Sequence, residues 1–362
     1  MKILIAGDFH SQIHEQAFFH AFKRLGEDVH YFSWHDYFKG YTTYARNSES
    51  RSLSLRSIYY LAQNKYLFGP VMQRLNTDLI DRCRQVKPDL VFVYRGTHVF
   101  PKTLGEMKRQ GSIIFGYNND DPFGEKPSAA FWRHYMKGLV SYDWIFAYRH
   151  KNMADYGQKG LKNVSLLRSY YIKSRNYRLS PGQITDQYRS DVSFIGHYEN
   201  DNRDAFLKFV FEQGIDLKIY GVLWENSPYF KDFLRFQQTR AIPYLNEDYN
   251  LGLNNCKIAL VFLSKINNDT YTRRCFEIPA ARTFMLGEYT RDLASLFEEG
   301  VEAEFFRSKE ELVDKIQYYL THETKRQAIA RAGYERLIKD GHEVTDRARQ
   351  ILKTYNALGP GQ

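Results

Sequence analysis

Little in this chain ties it down covalently. Its three cysteines, Cys83, Cys256 and Cys275, are odd in number and lack the spacing of a metal site. That excludes a disulfide framework and points to a reducing cytosol. Long apolar runs are also missing, and no stretch approaches the ~18 residues of a membrane span. The opening Met1–Gly7 is too short for a signal peptide and reads as a first strand, so the expected location is cytoplasmic. No G-x-G-x-x-G is present, so a bound nicotinamide or flavin is not indicated. Nor is there a repeat at solenoid periods. No tail is purely basic, because 42 acidic residues are mixed among 51 basic ones. The net charge of +9 suits an anionic partner, but its diffuseness makes it weak support for nucleic acid.

Aromatic residues are plentiful, at 16% with 28 tyrosines, on a 43% hydrophobic background that is enough for packed cores. A length of 362 residues is more than one core usually serves, so two domains are expected. Short apolar strands alternate with amphipathic helices, which predicts an α/β class with Rossmann-like units. Strand Lys2–Ala6 leads into a helix ending near Leu25, then a second strand at Val29–Phe32. Asp8, His10 and His14 gather where the first strand ends. A histidine there titrates near working pH and can take a proton from a hydroxyl; a solvated or capping role is the alternative.

From Ser33 to Pro70 the alternation breaks. Trp34, Tyr37, Tyr41, Tyr44, Tyr59, Tyr60 and Tyr66 stand among Lys39, Arg46, Arg51, Arg56 and Lys65. Rings beside basic groups suit sugar stacking or an anionic lipid surface. The plainer expectation is a helical excursion whose tyrosines pack on the sheet. Further on, strand Ser112–Tyr117 exits into Asn118-Asn119-Asp120-Asp121-Pro122. Asp120 and Asp121 can orient or deprotonate an acceptor, or simply form an Asp-Pro turn with a helix cap.

Ser169–Ser190 is polar and aperiodic, and residues 176–190 read as the linker between domains 1–175 and 191–340. Strand Asp191–Gly196 restarts the alternation and leads to Arg203 in the first turn of a helix. A glycine exit before an arginine is a plausible diphosphate cradle. Trp224 follows the next strand, where it can stack a nucleobase or lie buried. The densest stretch is Asn267–Ala281, which leaves the buried strand Ile258–Leu263 and opens into a helix. Ligands of open α/β sheets bind at that edge, and a helix start offers N–H groups to a phosphate. Arg274 and Glu277 lie three apart and share a helical face, where they suit a diphosphate and a ribose or, more plainly, a surface ion pair.

The segment Asp269–Ala281, read as D-x-x-T-x-R-x-F-E-I-P-A, resembles the signature of the CgeB-like glycosyltransferases of the group 1 (GT-B) superfamily. The resemblance continues through Glu288–Leu293, Phe305–Leu312 and Ala328–Tyr334, and covers the N-terminal half only loosely. It implies a GT-B fold of two Rossmann-like domains facing a central cleft, with the donor nucleotide on the second and the acceptor on the first. It also implies a terminal helix (341–358) that returns to the first domain. On that resemblance Glu277 binds ribose, while Arg274, Arg203, Gly196 and the Thr272 region hold the diphosphate of a UDP- or GDP-sugar. Asp269 occupies the position where retaining members of the superfamily carry the first glutamate of E-x7-E, and that departure leaves retention only a lean. An inverting enzyme would need His14, His10, Asp121 or Asp120 as its base. Adjacent Asp-Asp is not the D-x-D of metal-dependent sugar transferases, so no metal is expected. The alternatives are a non-catalytic sugar-nucleotide-binding or assembly protein, a GT-B-type sugar epimerase, and, from the charge alone, a nucleic-acid binder. The hydroxyl acceptor and a peripheral contact with anionic membrane stay open.

Overall fold

The computed structural model describes residues 1–38, 55–124, 129–237, 245 and 247–359. They fall into two compact units, Met1–Arg168 with the segment from Val344, and Ser169–Glu343.

The first unit is built on a six-stranded sheet in the order β2-β1-β3-β4-β5-β6. Its strands are β1 (Lys2–Gly7), β2 (Asp28–Ser33), β3 (Leu90–Tyr94), β4 (Ile113–Asn118), β5 (Trp144–Ala147) and β6 (Val164–Leu166). All pair in parallel. Every residue of β3 is buried, as a central parallel strand covered on both faces requires, and this explains why it reads as unbroken hydrophobicity rather than alternation. The terminal helix Val344–Leu358 belongs to this unit. Gln350 donates to the Leu166 carbonyl at 2.7 Å, and Arg24 donates to Thr345 Oγ1 at 2.8 Å.

The aromatic region holds two helices among the described residues, His35–Phe38 and Leu55–Tyr66. Trp34, Phe38 and Leu67 are buried in the core. Tyr59, Tyr66 and Phe68 instead stay largely exposed, so packing on the sheet accounts for only part of the region. Lys39, Tyr41, Tyr44, Arg46 and Arg51 lie outside the described residues.

The second unit carries a five-stranded parallel sheet in the order β11-β10-β9-β7-β8. Its strands are β7 (Ser190–Ile195), β8 (Leu217–Tyr220), β9 (Cys256–Val261), β10 (Phe284–Glu288) and β11 (Glu304–Phe306). Because β8 and β9 flank β7 on opposite sides, the carboxyl end of β7 is a topological switch point, where the crossovers part and leave a crevice. The polar segment expected as a linker is held to this unit. The Tyr177, Leu179 and Thr185 N–H groups donate to the side chains of Asn250, Asn254 and Asn255 at 3.2, 3.0 and 3.0 Å. A segment without an apolar period is thus fixed by satisfying its backbone. Among the described residues no helix is long and apolar enough to cross a membrane.

Candidate functional site

The switch point of the second unit is built from backbone outwards. β7 is followed by Gly196, whose N–H donates to the Tyr220 carbonyl at 2.8 Å. Gly221, at φ +148°, lies so close that a Cβ there would stand 2.1 Å from the Gly196 carbonyl oxygen. Only glycine tolerates both that conformation and that approach. Arg274 enters the same corner. Its Nε donates to the Ile195 carbonyl at 2.7 Å, and its guanidinium lies 5.7 Å from the Phe194 ring centroid. A Cβ on Gly196 would come within 2.7 Å of Arg274 Nη2, so this glycine makes room for the arginine.

Glu277 sits one helical turn on and is buried. Tyr249 donates to its Oε2 at 2.8 Å. Burial pushes its carboxyl up, against the pull of Arg273, the Tyr249 hydroxyl, Arg274 and Arg175. Glu277 is thus a buried carboxyl acted on by three guanidinium groups. At the carboxyl ends of β7, β8 and β9 lies a cavity of about 380 Å³ whose walls include His197, Tyr198, Asn200, Asn226, Ser264 and Asn267. Glu199 forms its floor. It accepts from Ser264 at 2.6 Å and pairs with His197 at 2.8 Å. Although burial pushes the Glu199 carboxyl up, His197, Arg203 and Ser264 pull it down to about 2.

Other residues singled out from sequence take different places. Arg203 is 2% exposed and is spent on its own loop, donating to Asp201 at 2.8 and 2.6 Å and to the His197 carbonyl at 3.0 Å. It shapes the cradle and does not reach into it. Trp224 is 1% exposed, gives its indole N–H to the Gly196 carbonyl at 2.9 Å and packs in the core. It therefore presents no ring face to a base. The helix Arg274–Ala280 has seven residues, and its first turn is already bonded. The Cys275 N–H goes to the Thr272 carbonyl, and those of Phe276 and Glu277 go to that of Arg273. Those three N–H groups are therefore already engaged. Asp269 is anchored through its N–H to the Ser264 carbonyl at 2.9 Å.

The carboxyl edge of the first unit gathers a different set. His14 Nδ1 lies 3.1 Å from the Tyr94 hydroxyl, Asp8 stands 3.5 Å from His35, and the His10 and His35 rings are 4.8 Å apart. Arg95 pairs with Asp120 at 2.8 Å. Asp121 is fully buried and held by Asn152 at 2.8 Å, by Lys151 at 3.3 Å and by the Phe123 N–H at 3.0 Å. That is the turn-and-cap role, and it leaves Asp121 inaccessible to an acceptor. Asp120 is the accessible member of the pair, with 23% of its side chain exposed.

Four similarities to known proteins fit this geometry. A family model described as Glycosyl transferase-like matches residues 203–353. HepE of Anabaena, solved in complex with UDP and glucose, superposes at a TM-score of 0.68 with 13% identity, over 99% of this chain and 100% of that one. Sucrose-phosphate synthase of Thermosynechococcus elongatus gives 0.70 at 9% identity, over 99% of each chain. A putative UDP-N-acetylglucosamine 2-epimerase of Listeria monocytogenes gives 0.58 at 10% identity, over 97% and 94%. No curated protein matches the sequence. The fold is GT-B.

Two site residues were missed in the sequence. Tyr249 reaches Glu277 only through tertiary packing, and nothing local announces it. Glu15 did leave a signal, since Glu15, Phe18 and Phe22 recur at helical spacing on one buried face. Its Oε1 accepts the Asp8 N–H at 3.1 Å, and burial pushes its carboxyl up to about 7.

Proposed function

We propose that this protein is a glycosyltransferase whose second unit binds a nucleotide-diphosphate sugar, with a UDP- or GDP-sugar as donor, and that it passes the sugar to a hydroxyl acceptor without a metal. The observation that carries the reading is Glu277, buried among Arg273, Arg274 and Arg175, one helical turn from the guanidinium that Arg274 sets against the end of β7. A carboxylate so placed can accept from both ribose hydroxyls, and the guanidinium groups can stabilise the departing diphosphate. The family similarity over residues 203–353, most of it in this unit, supports the reading, as does HepE, which is also solved in complex with UDP-glucose.

In the transfer, the bond between the sugar's anomeric carbon and the β-phosphate oxygen breaks, and the nucleoside diphosphate leaves with that electron pair. A bond forms from the acceptor oxygen to the anomeric carbon, and the acceptor's proton passes to a base. With Asp121 enclosed, the candidates for an inverting course are His14, His10 and Asp120. In a retaining course, toward which Glu277 leans by matching the second glutamate of E-x7-E while Asp269 departs from the first, the leaving phosphate takes the proton. The reaction is then of hexosyltransferase type.

The test is calorimetric titration with UDP, GDP, ADP, CMP, dTDP and their common sugar conjugates, on the wild type and on Glu277→Ala. One nucleotide family should bind the wild type and lose affinity in the variant. Binding of none, or equal binding to both proteins, sinks the proposal and leaves the assembly-protein reading ahead. Acceptor-independent turnover of a bound donor would instead favour the epimerase.

A further inference from the structure

A second cavity, in the first unit, has a lining unlike that of the switch point. It is a groove of about 590 Å³ beside β2, the edge strand of the sheet. It shares no residue with the Asp8–His14 cluster. One wall is a stripe of the helix Pro70–Val86, where Arg74, Asp78 and Arg82 recur every four residues and so point the same way. Tyr31 of β2 lines it too, with Asp36, Tyr37 and Tyr60. The polar wall is set in advance, because the Tyr37 hydroxyl donates to Asp78 at 2.6 Å and Arg74 lies 3.7 Å from the same carboxylate.

Two features narrow the ligand. The arginines, Arg74 and Arg82, are balanced by Asp36 and Asp78, so the lining carries no net charge. A phosphate or an anionic headgroup would gain attraction from one pair and repulsion from the other. Tyr37 and the Asp78 it bonds, meanwhile, set a ring beside a planar carboxylate. A pyranose has the matching surface, with C–H faces that lie on a ring and vicinal hydroxyls that bond bidentately to a carboxylate or guanidinium. The volume falls within the ~300–1,000 Å³ of ordinary ligand sites. We propose that this groove is a binding site for a neutral oligosaccharide, separate from any donor site. It does not depend on the function proposed above.

The test is saturation-transfer NMR with maltotriose, cellotriose, mannotriose and chitotriose, each added to the full chain, with inorganic phosphate as the anionic competitor. At least one trisaccharide should receive saturation at its ring C–H protons. Tyr31→Ala and Asp36→Asn should each weaken its binding roughly five-fold, the size expected for one aromatic contact. Both residues are exposed, Tyr31 at 51%, so neither change opens the core, and an unchanged melting temperature confirms this. Glu277→Ala should leave the signal intact. The proposal is overturned if no trisaccharide is saturated, if the signal survives both groove substitutions, if Glu277→Ala abolishes it, or if phosphate displaces it.

Discussion

In each sheet the first strand leaves through a glycine, and in each a long side chain lies against that glycine. In the first unit it is an acid: a Cβ on Gly7 would stand 2.3 Å from Glu15 Cγ. In the second it is a base, with Arg274 Nη2 at 2.7 Å from a Cβ on Gly196. The backbone device is the same and the charge is opposite. A glutamate is buried near both exits, yet its company differs. Glu15 holds a backbone N–H and is pushed up to about 7, whereas Glu277 stands among arginines. The Rossmann-like exit therefore supplies a place for chemistry without choosing it; the packed side chain chooses. An arginine-lined exit suits a leaving diphosphate, and an exit of histidines and carboxyls suits proton transfer.

The largest predicted effect is a pH dependence of stability set by Glu15. Glu15 rises from 4.5 to about 7 on folding. Between those values the unfolded chain has released its proton while the folded chain keeps it, so stability falls as pH rises through that window. At ~1.4 kcal/mol per pH unit the loss is about 3 kcal/mol. Glu15→Gln should flatten that part of the stability-against-pH curve, read by urea unfolding from pH 4 to 8. An unchanged slope would mean Glu15 titrates normally.

Next, Gly7→Ala should cost about 2 kcal/mol, since its new methyl meets a buried side chain near the root, where it cannot swing away. Gly196→Ala meets the far end of Arg274 and should in addition weaken nucleotide binding. If both variants lose only stability, the distinction between the two exits fails. Glu277→Ala should weaken the best-bound nucleotide at least ten-fold, about 1.4 kcal/mol, in the calorimetric screen. The smallest effect belongs to Trp224→Phe, which loses one hydrogen bond worth about 1 kcal/mol. Its nucleotide affinity should match the wild type; a ten-fold loss would return Trp224 to the ligand.

Most strands and helices were legible because hydrophobic period and turn residues act locally, whereas the short strand Glu304–Phe306 was not. Lys2–Gly7, Leu90–Tyr94 and Cys256–Val261 announce themselves by runs that have no other stable use. The Asp269–Ala281 stretch was likewise visible, and with it Arg274 and Glu277. Sequence could not say which polar residues were already committed. Arg203 and Asp201 sit two apart, close enough to pair, but only the folded loop shows them spending the guanidinium on each other and on His197. Asp121 and Trp224 differ from their accessible alternatives only in burial, which is a property of neighbours distant in the chain.

Sequence by itself determined the α/β alternation, the two-domain size and the candidate donor stretch, because each rests on short-range spacing and composition. Tertiary structure decided that Tyr249 meets Glu277, that Glu15 is buried, that three asparagines bind the expected linker, and that a charge-balanced groove lies beside β2. Those pairings depend on where whole strands and helices are placed, and side chains dozens of residues apart carry no local trace of it.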